Sequence, residues 1–257
     1  MTIHFVAEGG DMDIGKCFKD AWGLFRLDLG PLLVTALIAS VIMAVASAVL
    51  LAVMAGGIGI MRFGGAAGGI FASVSAFFAF VLVFVVGLVV YAWAAATMFR
   101  MIVRRVRERR PATYADMLET DQIGAFAVAF VILGVLIGVG YALFVIPGLI
   151  LTTIWIYALP MVVDRRIGVG EAMSESRTLA AAPGYFTTFL TWLVGALVVG
   201  IIVSLLNVIP VIGLIVGLLA VPFELAYVLS MYFQANGEGH LIDAALGQAP
   251  GSPGAGG

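Results

Sequence analysis

Charge is scarce in this chain: Asp, Glu, Lys and Arg make up 11% of its 257 residues, against about 25% in typical soluble domains. So few charges cannot cover a water-soluble globule of this size. The formal net charge of -2 offers no basic surface for nucleic acid, and none is expected as a partner. Cysteine occurs once, as Cys17, so no intramolecular disulfide can close and cysteine usage leaves the compartment open. The two histidines, His4 and His240, lie near opposite ends. No Cys/His cluster suggests a metal, and no Ser/His/Asp or Cys/His set suggests a nucleophile. A membrane hydrolase would be expected to show one. No catalytic residue, metal or cofactor is therefore assigned, and the chain is not expected to be an enzyme. Residues 1 to 30 also lack a basic segment, apolar core and small-residue cleavage site in sequence, so the first apolar run is expected to stay in place.

What the chain has instead is apolar sequence. Its hydrophobic fraction is 63%, against about 45 to 50% in soluble domains, and it falls in six long stretches. Backbone donors and acceptors within hydrocarbon must bond inside their own segment, so each stretch is expected to be helical despite its Val and Ile content. The fold class is then all-α: a polytopic membrane bundle of six transmembrane helices. The expected spans are Pro31 to Ala55, Phe71 to Arg100, Gly124 to Val145, a short helix from the Ile146-Pro147-Gly148 turn to Val163, Tyr185 to Leu206, and Val211 to Gln234. A Gly-rich loop from Gly56 to Gly69 joins the first two. It resembles a phosphate loop only in glycine count, because no Lys-Ser/Thr pair follows. The six-helix domain covers 13–234, between an N-terminal segment, 1–12, and a Gly- and Ala-rich tail, 235–257, expected to be disordered.

All but Arg62 of the 13 Lys and Arg residues fall on one side of this layout. The positive-inside rule makes that side cytoplasmic, places both termini there, and points to a bacterial inner membrane. On the same side, Asp13 to Leu29 places Ile14, Cys17, Phe18, Ala21, Trp22 and Phe25 at helical spacing opposite Lys16, Lys19, Asp20 and Arg26. That is an amphipathic interfacial helix. Val169 to Ala182 forms a weaker one. Each precedes an apolar hairpin, and the later hairpins share a turn-and-proline pattern: Ile146-Pro147 before Pro160, Ile209-Pro210 before Pro222. With Ala112 to Asp121 as a degenerate third copy, the chain reads as three units of interfacial helix plus hairpin, related by an axis along the membrane normal. Chance self-alignment of apolar sequence is the alternative.

Glu224 is the one carboxylate inside an expected span, with Tyr227 one turn later. An intramembrane carboxylate is a functional candidate, here a proton-titrating group; the bland reading is a neutral hydrogen-bonded residue between helices. Arg104, Arg105, Arg107, Arg109 and Arg110 are candidates for anionic lipid headgroups, although orientation alone would account for them. Thr152, Thr153, Trp155 and Tyr157, with Ser204 and Asn207, are candidates to line a polar pocket. Gly134/Gly138 and Gly213/Gly217 have the spacing of close helix packing.

The order of elements resembles a known family. Trp22 with Phe25 precedes the first span, Ile146-Pro147-Gly148 closes the third, and Ala158-Leu159-Pro160 with Val163-Asp164 ends the fourth. Glu171-Ala172 and Ser176 follow. This is similar to the membrane domain of the bacterial glycerophosphoryl diester phosphodiesterases and to related uncharacterised six-helix bacterial membrane proteins, over about residues 13 to 234. The resemblance implies a fold and not an activity, since that family's chemistry resides in a separate soluble barrel. The chain departs from relatives that end the sixth helix in a basic stretch, because an uncharged-to-acidic tail follows Tyr232-Phe233-Gln234.

The expected function is a non-enzymatic multi-pass membrane component that organises or supports others. Its expected partners are membrane lipids and a protein partner or a second copy of the chain. The alternative is a proton-coupled transporter or permease that uses Glu224.

Overall fold

The computed structural model describes residues 12–63, 65–119 and 121–247, and every regular element among them is helical. Helix α1 (Ile14–Leu27) opens on Asp13, whose carboxylate accepts the Lys16 amide at 3.1 Å. Three hairpins follow. The first joins α2 (Leu29–Phe63) and α3 (Gly65–Glu108). A single 3-10 turn, Tyr114–Met117, leads into the second, in which α4 (Ile123–Leu143) returns as α5 (Val145–Trp155) and α6 (Ala158–Asp164). Helix α7 (Val169–Ala181) precedes the third, α8 (Tyr185–Leu206) with α9 (Pro210–Ala235), and α10 (Gly239–Ala245) closes the described chain. Six segments are long and apolar enough to cross a membrane, α5 and α6 together making one. The molecule is a multi-pass α-helical bundle.

Its packed core is at one end. The large side chains fully withdrawn from solvent, among them Leu24, Met98, Ile102, Phe126, Tyr157 and Tyr232, come from α1 and from the hairpin ends that carry the charged residues. α1 lies along α9, setting Phe18 and Phe25 against Phe223. Away from this end the helices turn Phe77, Phe78, Leu82, Val135, Leu143, Leu205 and Leu214 outward. Such a surface is unfavourable in water and ordinary in hydrocarbon.

The structure corrects four sequence expectations. The stretch from Gly56 to Gly69 is not a loop: α2 and α3 run through it and reverse direction around Gly65, at a φ of +59°. Glycine costs a helix up to about 1 kcal/mol each, but an open backbone in an apolar setting costs more. These small residues also let the two helices touch, with Gly57 against Ala72 and Gly68 against the Ile60 carbonyl. At 1.5 Å per residue α2 and α3 extend roughly 50 and 65 Å, well beyond a ~30 Å hydrocarbon layer.

The Ile146-Pro147-Gly148 segment is not the turn either. Phe144 alone is extended (φ -159°, ψ 153°), and Pro147 is the third residue of α5, where a missing N–H has no helical partner to lose. The returning helix then breaks at Ile156 and Tyr157, because Pro160 cannot donate to the Ile156 carbonyl. Ser176 of α7 bridges this break: its Oγ accepts the Tyr157 amide at 3.2 Å and donates to the Ile154 carbonyl at 2.8 Å. Last, residues 239–245 of the expected tail form α10, which buries Ile242 and pairs Asp243 with Lys16 of α1 at 3.1 Å. Residues 248–257, and 1–11 with His4, lie outside the described residues.

Candidate functional site

The strongest polar construction joins the ends of all three hairpins. Arg107, near the end of α3, directs Nε and Nη2 at the Asp164 carboxylate of α6 at 2.8 and 2.6 Å. Its Nη1 and Nη2 also reach the Glu238 carboxylate, just beyond α9, at 2.9 and 2.8 Å. Asp164 is buried, with 2% of its side chain exposed, and accepts Tyr232 Oη at 2.7 Å as well. Arg165 continues the network to Glu175 of α7 and to Asn236. The returning helices end beside this clasp in left-handed residues, Arg109 (φ 55°), Arg166 (φ 57°) and Gly237 (φ 72°).

A second set secures the link between α3 and α4. Arg100, 6% exposed, donates to the carbonyls of Asp121, Asp116 and Glu119 at 3.0, 2.8 and 2.7 Å. Arg104 pairs with Asp116 at 3.0 Å and with Glu119, and Arg110 also reaches Asp116. Burial alone would push the Asp116 carboxyl up. The Thr113 amide and hydroxyl and the two guanidiniums outweigh it and hold the group below the usual carboxylate range. Arg105 faces Asp28 at 3.3 Å, and Asp28 accepts the Ala112 amide at 3.0 Å. Burial raises the Asp28 carboxyl despite these partners.

Four of the five arginines singled out for lipid contact therefore meet carboxylates of their own chain. Arg109 is exposed and has no ion pair among the described residues. Arg104 and Arg110 meet Asp116 from the segment that follows them, whereas Arg105 and Arg107 find Asp28, Asp164 and Glu238, which are distant in the chain and which the sequence did not pair with them.

Glu224 and Tyr227 point to different surroundings. Tyr227 is 3% exposed; its hydroxyl donates to the Thr191 carbonyl at 2.7 Å, and its ring packs over Gly195 and against Phe18, 4.7 Å between centroids. Glu224 is exposed in the membrane-crossing part of α9 and makes no hydrogen bond or ion pair among the described residues. A small cavity of about 180 Å³ lies between α2, α3 and α9, bordered by Tyr91, Gly217 and Val221.

The larger cavity, about 500 Å³, opens between α5 and α8. Its walls are apolar, and Arg177 is the one charged residue on them. Of the expected polar pocket only Thr153 faces this space. The Thr152 and Thr153 hydroxyls bond the Gly148 and Leu149 carbonyls of their own helix, both at 2.9 Å, Tyr157 is fully buried, and Ser204 and Asn207 are exposed at the far end of α8. Nothing lies within 4 Å of a Cβ placed at Gly134, Gly138 or Gly217, whereas Gly213 meets Asn207.

A bundle of apolar helices clasped at one charged end belongs to the multi-pass membrane proteins. The chain matches no family model, no curated protein and no solved structure.

Proposed function

We propose that the protein is a non-enzymatic organising component of a bacterial cytoplasmic membrane that acts through partner proteins or lipids. The observation that carries this reading is the clasp. One arginine, Arg107, ties α3 to the ends of the other two hairpins, so the charged end is a rigid face while the apolar legs remain open to the bilayer and to neighbours. By the positive-inside rule this face and both chain ends are cytoplasmic. α1 and α7 then lie at the interface as amphipathic helices. Three units, each a short helical segment followed by a hairpin whose return ends in a left-handed residue, fit an internal three-fold repeat. The likeness to the membrane domain of the glycerophosphoryl diester phosphodiesterases supports a scaffold of this type. Native mass spectrometry after extraction in mild detergent tests the reading. A stoichiometric protein partner or a selected lipid is expected, and a bare monomer with no lipid preference would overturn it.

Glu224 favours a second reading, a proton-coupled transporter, because an unpartnered carboxylate in a membrane span is seldom without use. In proteoliposomes that reading requires proton-linked solute flux that Glu224→Gln abolishes. Equal, background flux in both proteins would remove it.

A further inference from the structure

We infer that the groove between α5 and α8 is a binding site for one anionic phospholipid, its headgroup at Arg177 and an acyl chain along the apolar walls. The inference deepens the organising role proposed above by naming its lipid ligand and the place that holds it.

The rim comes first. Arg177 is exposed on α7 and, unlike Arg104, Arg105, Arg107, Arg110 and Arg165, has no carboxylate partner among the described residues. The nearest acidic residue along its helix, Glu175, is held by Arg165. Tyr185, the first residue of α8, donates its hydroxyl to the Arg177 carbonyl at 3.3 Å. That bond sets Arg177 at the level where α8 enters the membrane, with a phenol beside it. A free guanidinium at that depth matches a phosphate in charge and in its fork of donors.

The walls fit a chain. Ile150 and Ile154 on α5 face Phe186 and Phe189 on α8 across about 500 Å³. Phe186 is 74% exposed and Ile150 52%, so large apolar surface is uncovered here beside a lone cation. The groove follows α5 from Ile154 near the rim to Ile146, eight residues on, or about 12 Å at 1.5 Å per residue. One leaflet of a ~30 Å hydrocarbon layer is about 15 Å deep. The groove is therefore close to one leaflet in length, with its charge at one end. That polarity favours a lipid over an apolar helix from a partner, which has no need of a cation at its edge.

The test uses full-length protein in nanodiscs containing equal phosphatidylglycerol and phosphatidylcholine, with retained lipids read by native mass spectrometry on release. The parent should retain one phosphatidylglycerol in preference to phosphatidylcholine. Arg177→Gln should lower that preference about fivefold, as expected for one basic residue near the surface, and Arg177→Lys should keep most of it. Ile150→Trp, which fills the groove, should lose the retained lipid whatever its headgroup. An unchanged preference in Arg177→Gln would overturn the inference, as would Ile150→Trp releasing a protein partner while the lipid stays. Cross-linking the same preparations separates this result from the broader role: a protein partner still bound in Arg177→Gln would leave the organising function standing while the lipid site fails.

Discussion

Single residues in this protein are decided by what faces them across a helix pair. Gly195 lies under the Tyr227 ring, where an added Cβ would overlap the aromatic carbons, whereas Gly200, on the same helix, has nothing within 4 Å. Gly195→Ala should destabilise the protein by about 1 to 3 kcal/mol through overpacking. Gly200→Ala should be neutral or slightly stabilising. Thermal unfolding of the two variants in one detergent makes the comparison. Asp20 shows the same dependence on surroundings. It is 1% exposed on α1, and burial pushes its carboxyl up to about 6 from an ordinary value near 3.8, although Lys16 and the Gln234 amide favour the ionised form. A carboxyl raised in the folded state holds its proton more tightly than in the unfolded chain, so this group's contribution to stability falls as pH rises from about 4 to about 6. Asp20→Asn should remove that fall, leaving a flatter stability profile between pH 4 and 7. An unaltered profile would count against a buried, desolvated Asp20. Glu224 was legible in the sequence as a lone carboxylate in a span. Its lack of a partner was not, because that depends on which way α9 turns against α3.

At the scale of elements, apolar runs were read correctly as helices, and the errors fell at their ends. Glycine content suggested a loop at Gly56 to Gly69, yet residues 56–63 and 65–69 belong to the helices, since an unpaired backbone in hydrocarbon costs more than glycine in a helix does. Composition also made the tail look featureless. α10 forms because Ile242 finds an apolar site and because Leu246 packs over Gly23, where any side chain would collide with it. Ending the chain after Glu238, which keeps the carboxylate that Arg107 holds, should therefore lower the melting temperature and expose the α1 surface around Gly23 to protease. Equal stability and protection would show that α10 contributes nothing to the packed end. The break between α5 and α6 was only partly legible: Pro160 predicts a weakness, but Ser176, which satisfies the freed backbone, comes from another helix.

At the scale of the whole molecule, the clasp decides how the hairpins sit. Arg107→Met would leave Asp164, with 2% of its side chain exposed, held only by the Tyr232 hydroxyl among the described residues. Removing one partner of a buried pair costs about 3 to 5 kcal/mol, and the lower end applies here because about a third of the Arg107 side chain is exposed. The variant should also lose disulfide cross-linking between cysteines placed at the ends of α3 and α6. Stability and cross-linking both unchanged would mean that apolar packing alone holds the end together. The sequence by itself determined the solvent, the helical class, the number of crossings and the segregation of charge, because each follows from composition and periodicity along a single segment. Tertiary structure decided which arginines meet a carboxylate, which stay free, and where the bundle leaves a groove. Those outcomes depend on residues far apart in the chain whose side chains share one volume, and no local pattern encodes that sharing.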